Sequence, residues 1–585
     1  MTAMTEPGEY TVNRRVWMTA IGALAGLAAW LLWDVLPDHV ENERLLLFLS
    51  AGASGFFAAL LAAAGALALP RAVLAAAGAS LPAACLLTWA SLRYADVDDF
   101  LETGHAVFAY GLIVFLSLPF LIVALRSGEG WRSYPALFRQ SWDIAVRYAA
   151  ALVFVGIFWG VIFLSDALFK LVGLEIIEDL LEIDAVPAVL TGAIIGLALA
   201  VVAELADYIS PFLILRLLRL LLPVVVVVAG VFLIAIPFRG LSDVFGGLSA
   251  AAVLLSMAVG IATLITSAIE RNDEEAADSR ILLVSAQLLA VVIPILSALA
   301  LYAVWIRVAD YGWSPDRIAA TCAGIVGLGY GLLYAVSVIR RRDWMERIRQ
   351  ANIVMALITI ALAALWLTPI LNAERISARN QMARFDAGKV AAEDLDLWFL
   401  GREIGVAGEA AIAELAAIEH PEADVIAERL ALLEAADSRY AFERTDTGPT
   451  QDSLREEILV TAPVVPEGGR LPDGLLDRAA PYDLQQWAEA CREKTPAGNP
   501  ACLFLAADLD LESPGDETLL VWKNGPYVYV TALKDGTRQS PAFLRGGAVS
   551  LQPQVIDDIL AGNYSVGVPS VRSLDLGKVE IFIIP

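Results

Sequence analysis

The sequence predicts a polytopic α-helical membrane protein of about 11 transmembrane helices, followed by a soluble helical segment and a small α+β domain. Three observations carry that reading. The 585 residues have a mean hydropathy of +0.65 and are 58% hydrophobic, too apolar for one soluble globule. The apolar residues gather in runs of about twenty with few charges, the length that a bilayer crossing requires. Arg340-Arg341-Arg342-Asp343-Trp344-Met345-Glu346-Arg347-Ile348-Arg349 sets five arginines immediately before the last such run, Ala351 to Leu371, as a cytoplasmic collar does.

The spans follow in order. Arg14-Arg15 precede the first apolar run, about 16–36. A twin-arginine export signal would be followed by a cleavage site and a soluble domain; more apolar runs come instead, so the pair reads as a positive flank. Further spans fall near 46–69, 72–92, 104–125, 146–168, 188–208, 216–237, 247–268, 281–305, 317–339 and 351–371. With the N-terminus inside, the inner segments hold Arg14, Arg15, Arg71, Arg126, Arg132, Arg139, Arg147, Arg216, Arg219, Arg271, Arg280 and the collar, sixteen in all. The outer segments hold six: Arg44, Arg93, Lys170, Arg239, Arg307 and Arg317. This excess predicts a cytoplasmic N-terminus, and an odd number of spans then puts residues 372 onward outside. Residues 174–183 read as a short amphipathic helix on the outer surface. Pro119 and Pro294 lie inside spans and predict kinks.

Composition excludes several functions. Residues 1–371 carry a net charge of −8 and residues 372–585 a net of −16, and the acidic tail disfavours non-specific binding to nucleic acid or to anionic lipid, because both partners would be negative. The three histidines, His39, His105 and His420, are dispersed, and Cys85 and Cys322 sit in apolar runs, so no metal site and no cofactor is expected. Asp34, Asp166, Lys170, Glu204 and Asp207 all lie near helix ends, with Asp166 and Lys170 spaced to pair on one face. A proton-coupled pump needs an ionisable group at the membrane midplane, and no span offers one. The run Ala323-Gly324-Ile325-Val326-Gly327-Leu328-Gly329-Tyr330-Gly331 lacks the preceding strand of a nucleotide loop and predicts close helix–helix packing.

The most informative outer loop is Arg307-Val308-Ala309-Asp310-Tyr311-Gly312-Trp313-Ser314-Pro315-Asp316-Arg317. Ser314 and Pro315 read as the N-cap and first residue of a helix. Tyr311 and Trp313 suit a membrane interface. Arg307 and Arg317 stand on the side that the positive-inside rule depletes, and Arg317 lies in a first helical turn, where the macrodipole disfavours a cation. The six residues Arg307, Asp310, Tyr311, Trp313, Asp316 and Arg317 are therefore candidates for an Arg–Asp latch or for an anionic ligand such as a lipid phosphate.

Several segments resemble the bacterial membrane family known as domain of unknown function 4153. They are this loop, Tyr134-Pro135-Ala136-Leu137-Phe138-Arg139-Gln140-Ser141-Trp142, Pro237-Phe238-Arg239-Gly240-Leu241, Thr368-Pro369-Ile370-Leu371-Asn372, and Ser377-Ala378-Arg379-Asn380-Gln381 to Arg384. The similarity runs from about residue 15 to 435, with Ser314 where the family has threonine. The resemblance implies a multi-span protein of the bacterial inner membrane with a periplasmic tail. It carries no activity and no catalytic residues.

The expected domains are a transmembrane bundle (1–371), a helical extracytoplasmic segment (372–441), a loop-rich linker (442–475) and an α+β domain (476–585). In the last, a helix over Asp483–Cys491 precedes strands at Leu503–Asp508, Thr518–Trp522, Tyr527–Thr531 and Val579–Ile584, with Lys523-Asn524-Gly525-Pro526 as a hairpin turn. Asp508, Asp510 and Glu512 alternate as along a solvated strand edge rather than as a calcium loop. Cys491 and Cys502 form a disulfide if the tail is periplasmic. The leading functional expectation is a non-enzymatic scaffold that presents this module to a periplasmic or membrane protein. The alternatives are a permease or lipid-handling transporter for an anionic ligand, and a membrane-embedded transferase. Besides the lipid bilayer itself, the partner that the transporter alternative implies is an anionic lipid.

Overall fold

The computed structural model describes residues 7–126, 130–205, 212–239, 249–446, 451–472, 474–509, 516–525, 527–534, 537–539, 553–567, 573–575 and 580–582. By internal contacts the chain divides into two compact units, 1–430 and 431–585.

The first unit is helical. Its elements are α1 (Pro7–Trp30, continued by a π-helical turn, Leu31–Val35), α2 (Glu43–Ala63), α3 (Leu69–Ser91), α4 (Val97–Glu102), α5 (His105–Leu125), α6 (Tyr134–Leu171), α7 (Ile176–Leu181) and α8 (Ala185–Leu205). After them come α9 (Phe212–Arg219), α10 (Leu222–Arg239), α11 (Ala250–Ile269), α12 (Arg280–Tyr311), α13 (Pro315–Ile339), α14 (Trp344–Trp366), α15 (Ala373–Asp386) and α16 (Gly405–Ala416). Among the described residues, ten helices are long and apolar enough to cross a membrane. The remaining expected span, 216–237, overlaps α10, whose described apolar part, Leu222–Ala235, is shorter. Large apolar side chains on the bundle surface, such as Ile157, Val161 and Phe163, are more than half exposed in the bare protein, as a lipid-facing surface requires.

Small residues decide which helices touch. On α1 and α8, Gly22 and Gly192 meet backbone to backbone, and a Cβ on either would lie 2.1 Å from the other's carbonyl oxygen. Both belong to G-x-x-x-G repeats, Gly22/Gly26 and Gly192/Gly196, which allow this approach. Gly324, Gly327 and Gly331 of α13 face Leu301, Ser297 and Pro294 of α12, so the glycine run packs two helices together. Charges near the helix ends are paired: Arg15 with Glu204 at 2.5 Å, and Lys170 with Asp166 at 3.0 Å and Glu178 at 3.1 Å. The collar is not uniformly solvated. Arg349 is buried and donates to the carbonyls of Ile269 (2.7 Å) and Glu270 (3.3 Å) and to Asp273 (2.7 Å), capping the end of α11.

The expected boundaries in the tail shift. Gly405 and Val406 at the start of α16 pack on the segment after α3, with the Val406 N–H donating to the Arg93 carbonyl at 2.9 Å. Helices α15 and α16 therefore belong with the membrane bundle rather than with a separate segment. The stretch expected as a loop-rich linker contains a helix, α19 (Gln451–Thr461), after α17 (Ala423–Ala435) and α18 (Arg439–Asp446). Leu454, Ile458 and Ala462, at helical spacing, enter the core of the second unit.

In that unit, β1 (Val464–Val465), β2 (Cys502–Ala507), β3 (Glu517–Asn524), β4 (Tyr527–Lys534) and β5 (Thr537–Gln539) form one sheet in sequence order. The β1–β2 pair is parallel and the others antiparallel. Asn524 pairs with Tyr527 across the expected hairpin; Pro526 lies outside the described residues, as do Gly240, Leu241, Asp207, Asp510 and Glu512. Helix α20 (Pro481–Arg492) buries Trp487 against Phe504, Leu520 and Trp522. Cys491 of α20 and Cys502 of β2 are disulfide-bonded, their Cα atoms 4.9 Å apart. Helix α21 (Gln554–Leu560) and the pair β6 (Ser573–Asp575) and β7 (Glu580–Phe582) complete the unit.

Candidate functional site

Two features of the bundle are built finely enough to bear on function. The first is the loop between α12 and α13. Gly312 has φ of +77°, a left-handed conformation that glycine adopts without strain. It lets the chain turn against α15, where Asn380 Oδ1 accepts from the Trp313 N–H at 2.8 Å and Gln381 Nε2 donates to the Tyr311 carbonyl at 3.0 Å. Arg384 donates to the carbonyls of Ala309 at 2.9 Å and Asp310 at 2.6 Å. These are the last carbonyls of α12, which have no partner within their own helix.

The expected candidates take the following places. Arg317 Nη1 donates to the Gly312 carbonyl at 2.7 Å and lies over the Tyr311 ring, 5.6 Å from its centroid. Arg307 approaches the same ring at 5.9 Å. Asp316 pairs with His105 Nε2 at 3.0 Å. An Arg317–Asp310 ion pair is not among the contacts of the described residues: Asp310 contributes its backbone carbonyl, and to Arg384. Arg384 satisfies the orphan carbonyls of Ala309 and Asp310 at the helix end, and Arg317 is engaged by the Gly312 carbonyl instead.

Sequence reasoning passed over Arg93. Its side chain is 8% exposed and its Nη1 lies 3.0 Å from Glu374, itself 7% exposed, in the first turn of α15. The Nη2 donates to the carbonyls of Trp366 at 2.5 Å and Thr368 at 2.9 Å. Arg93 thus joins the end of α3, the end of α14 and the start of α15. Its presence among the six basic residues on the depleted side was the available signal.

The second feature is a groove among α5, α6, α11, α12, α13 and α14, with a volume of about 620 Å³. It runs from His105 and Trp366 at one end to Tyr134, Thr266, Tyr334 and Asn352 at the other. Asn352 and Trp366, fourteen positions apart on one wall, make it about 20 Å long. Between the ends its walls are Phe108, Leu112, Phe115, Val326, Ile353, Leu362 and small residues. Among the described residues, no carboxylate, lysine or arginine lines it.

The polar end is a relay. The Tyr334 hydroxyl donates to Asn352 Oδ1 at 2.6 Å, and Asn352 Nδ2 donates to the Tyr134 hydroxyl at 3.1 Å. Thr266 Oγ1, which donates to the Ala262 carbonyl, stands 3.3 Å from the Tyr334 hydroxyl. The proton of the buried Tyr134 hydroxyl has no acceptor among the described residues.

A family model matches residues 27–415. The chain belongs to the family of a domain of unknown function (DUF4153). No curated protein and no solved structure matches it. The DUF4153 match contains the whole groove and the clamp between α15 and the 307–317 loop. The structure sets two of the segments that resemble the family against each other, since Asn380, Gln381 and Arg384 hold the turn at Gly312. Of the groove's polar residues, Tyr134 opens a third such segment. Asn352, an amide at the head of an apolar run, was the one signal in the sequence for the relay.

Proposed function

We propose that this membrane protein holds a long-chain amphiphile within the bilayer, its chain along the groove and an oxygen acceptor of its polar end at the Tyr134 hydroxyl. One observation carries the reading: a groove about 20 Å long, without a carboxylate, lysine or arginine among its described lining residues, that ends in a neutral hydrogen-bonding cluster. A soluble substrate would meet no polar wall along that path, whereas an alkyl or prenyl chain matches it in length and polarity. This favours the lipid-handling alternative over the scaffold, and it transfers the ligand from the outer arginines to the interior.

The sidedness belongs to the same reading. Helix α10, at 18 residues, is about 27 Å long and nearly equals the hydrocarbon thickness, so it crosses as the eleventh span. An odd count with a cytoplasmic N-terminus puts the tail in the periplasm of a bacterial inner membrane. The Cys491–Cys502 disulfide agrees with that compartment. A second reading, a scaffold for a periplasmic partner, draws support from the separate core of residues 431–585.

Lipid analysis of the protein purified in mild detergent separates the two. The groove reading expects one tightly retained lipid per chain, lost on Ala323→Trp, which projects a large ring from an exposed position on the groove wall. Equal retention by the variant, together with a co-purifying protein, would favour the scaffold.

A further inference from the structure

We infer that a cleft separate from the groove, between the end of α3 and helices α15 and α16, binds the phosphate of a net-anionic lipid in the adjoining leaflet through Arg375 and Arg379.

The cleft has a volume of about 680 Å³, and none of its lining residues lines the groove. Arg375 and Arg379 stand four residues apart on α15 and so share one helix face. Both are exposed, and neither guanidinium has a partner among the described residues. This sets them apart from Arg93, which also lines the cleft but is fully engaged by Glu374 and two carbonyls. Two acidic residues line the same cleft, Asp386 and Glu414. Neither forms an ion pair with Arg375 or Arg379; Asp386 lies seven residues beyond Arg379, about 10 Å along the helix. The arginine end of the cleft therefore presents two guanidinium groups with no ion-pair partner among the described residues, and guanidinium forks match phosphate oxygens in geometry.

The surroundings choose a lipid over a soluble anion. Trp89 and Leu92 at the end of α3, which line the cleft, are 50% and 58% exposed, and Val406 of α16 is 46% exposed. They surround the cleft where two membrane-spanning helices end, the depth at which tryptophan and phospholipid headgroups meet. A free phosphate gains nothing from an apolar rim, while a phospholipid lays its first methylenes against it. The inference does not depend on which face of the membrane this is, nor on the contents of the groove.

The test uses the full-length protein in nanodiscs of phosphatidylcholine with a minor fraction of phosphatidylglycerol, with bound lipid counted by native mass spectrometry. The wild type should retain phosphatidylglycerol over phosphatidylcholine. Arg375→Ala/Arg379→Ala should weaken that retention at least about tenfold, the factor that 1.4 kcal/mol represents. Arg340→Ala/Arg342→Ala, at the other end of the bundle, should leave it unchanged. Equal retention by the Arg375/Arg379 variant and the wild type would overturn the inference. Binding of inorganic phosphate by the lipid-free protein, lost in the variant, would overturn the lipid assignment in favour of a soluble anion. Should the alanine variant prove unstable, the wild type alone decides: retention that does not fall between about 50 and 500 mM salt contradicts an exposed guanidinium–phosphate contact. Loss of the groove lipid in Ala323→Trp with phosphatidylglycerol retained would show that the two sites stand separately.

Discussion

Removing one partner of the Arg93–Glu374 pair should be among the most damaging single changes in the bundle. In Glu374→Ala the guanidinium stays where it is, 8% exposed, and loses the carboxylate 3.0 Å from Nη1. Breaking a buried ion pair costs about 3–5 kcal/mol, because the remaining charge is desolvated without compensation. The carbonyls of Trp366 and Thr368 still accept from Nη2, which puts the cost near the lower bound, about 3 kcal/mol. Arg93→Met should cost a similar amount, since it strands Glu374 and removes the donor from both carbonyls. The double change Arg93→Met/Glu374→Ala removes both charges and leaves only the two carbonyls unsatisfied, at about 1 kcal/mol each. The double variant should therefore lie at least about 3 kcal/mol above the sum of the single losses in stability. Chemical unfolding in mild detergent, followed by tryptophan fluorescence, measures all four corners of this cycle. The exposed pair Arg342–Asp343, 90% and 72% exposed at 3.7 Å, is the control and should contribute about 0.5 kcal/mol or less. Additive single losses, within about 0.5 kcal/mol, would refute the view that Arg93 and Glu374 act as one buried unit.

Three further outcomes follow from the geometry. Asn352→Leu strands the Tyr334 hydroxyl and removes the donor to Tyr134, so it should lower stability by about 1 kcal/mol and reduce lipid retention together; unchanged retention would detach the relay from ligand binding. The Thr495 hydroxyl, with Asn499 and the Ala497 N–H after it, holds the Asp557 carboxyl below the usual carboxylate range; its contribution is present above the unfolded value of about 3.9 and is lost as pH falls through the lowered folded value, so Asp557→Asn should flatten the acid limb of an unfolding profile between about pH 5 and 2, and an identical slope would count against it. Ser453→Cys in a background with Cys85→Ser and Cys322→Ser should react with a membrane-impermeant maleimide in intact cells, whereas reaction only after lysis would invert the topology and make α10 a non-crossing helix.

The membrane-embedded helices were legible because the bilayer imposes one rule on each of them separately. A run of about twenty apolar residues announces itself without knowledge of any other run. The groove is the opposite case. Tyr134, Thr266, Tyr334 and Asn352 come from four helices, and Tyr134 and Asn352 are 218 residues apart. Their meeting is a property of packing, to which no local period points. The 307–317 loop was recognisable as unusual from its arginines, and the partners inferred for them were Asp310 or Asp316 nearby in sequence, or an anionic ligand. The side chains that hold the loop come from Asn380, Gln381 and Arg384, about seventy residues on. Helix α19 escaped notice because Thr, Asp, Gly and Pro on either side masked the short pattern Leu454, Ile458, Ala462. Charge patterning misled in one further respect: Arg349 belongs to the collar by sequence, but is buried as a helix cap.

The central claim is that the groove holds the chain of an amphiphile, and a map of the protein in lipid nanodiscs by electron cryomicroscopy tests it most directly. The account predicts one continuous, unbranched non-protein density about 20 Å long between Phe108 and Phe138, with its polar end within hydrogen-bonding distance of the Tyr134 hydroxyl. A groove closed by its own side chains, or one holding only isolated water-sized density, would contradict it.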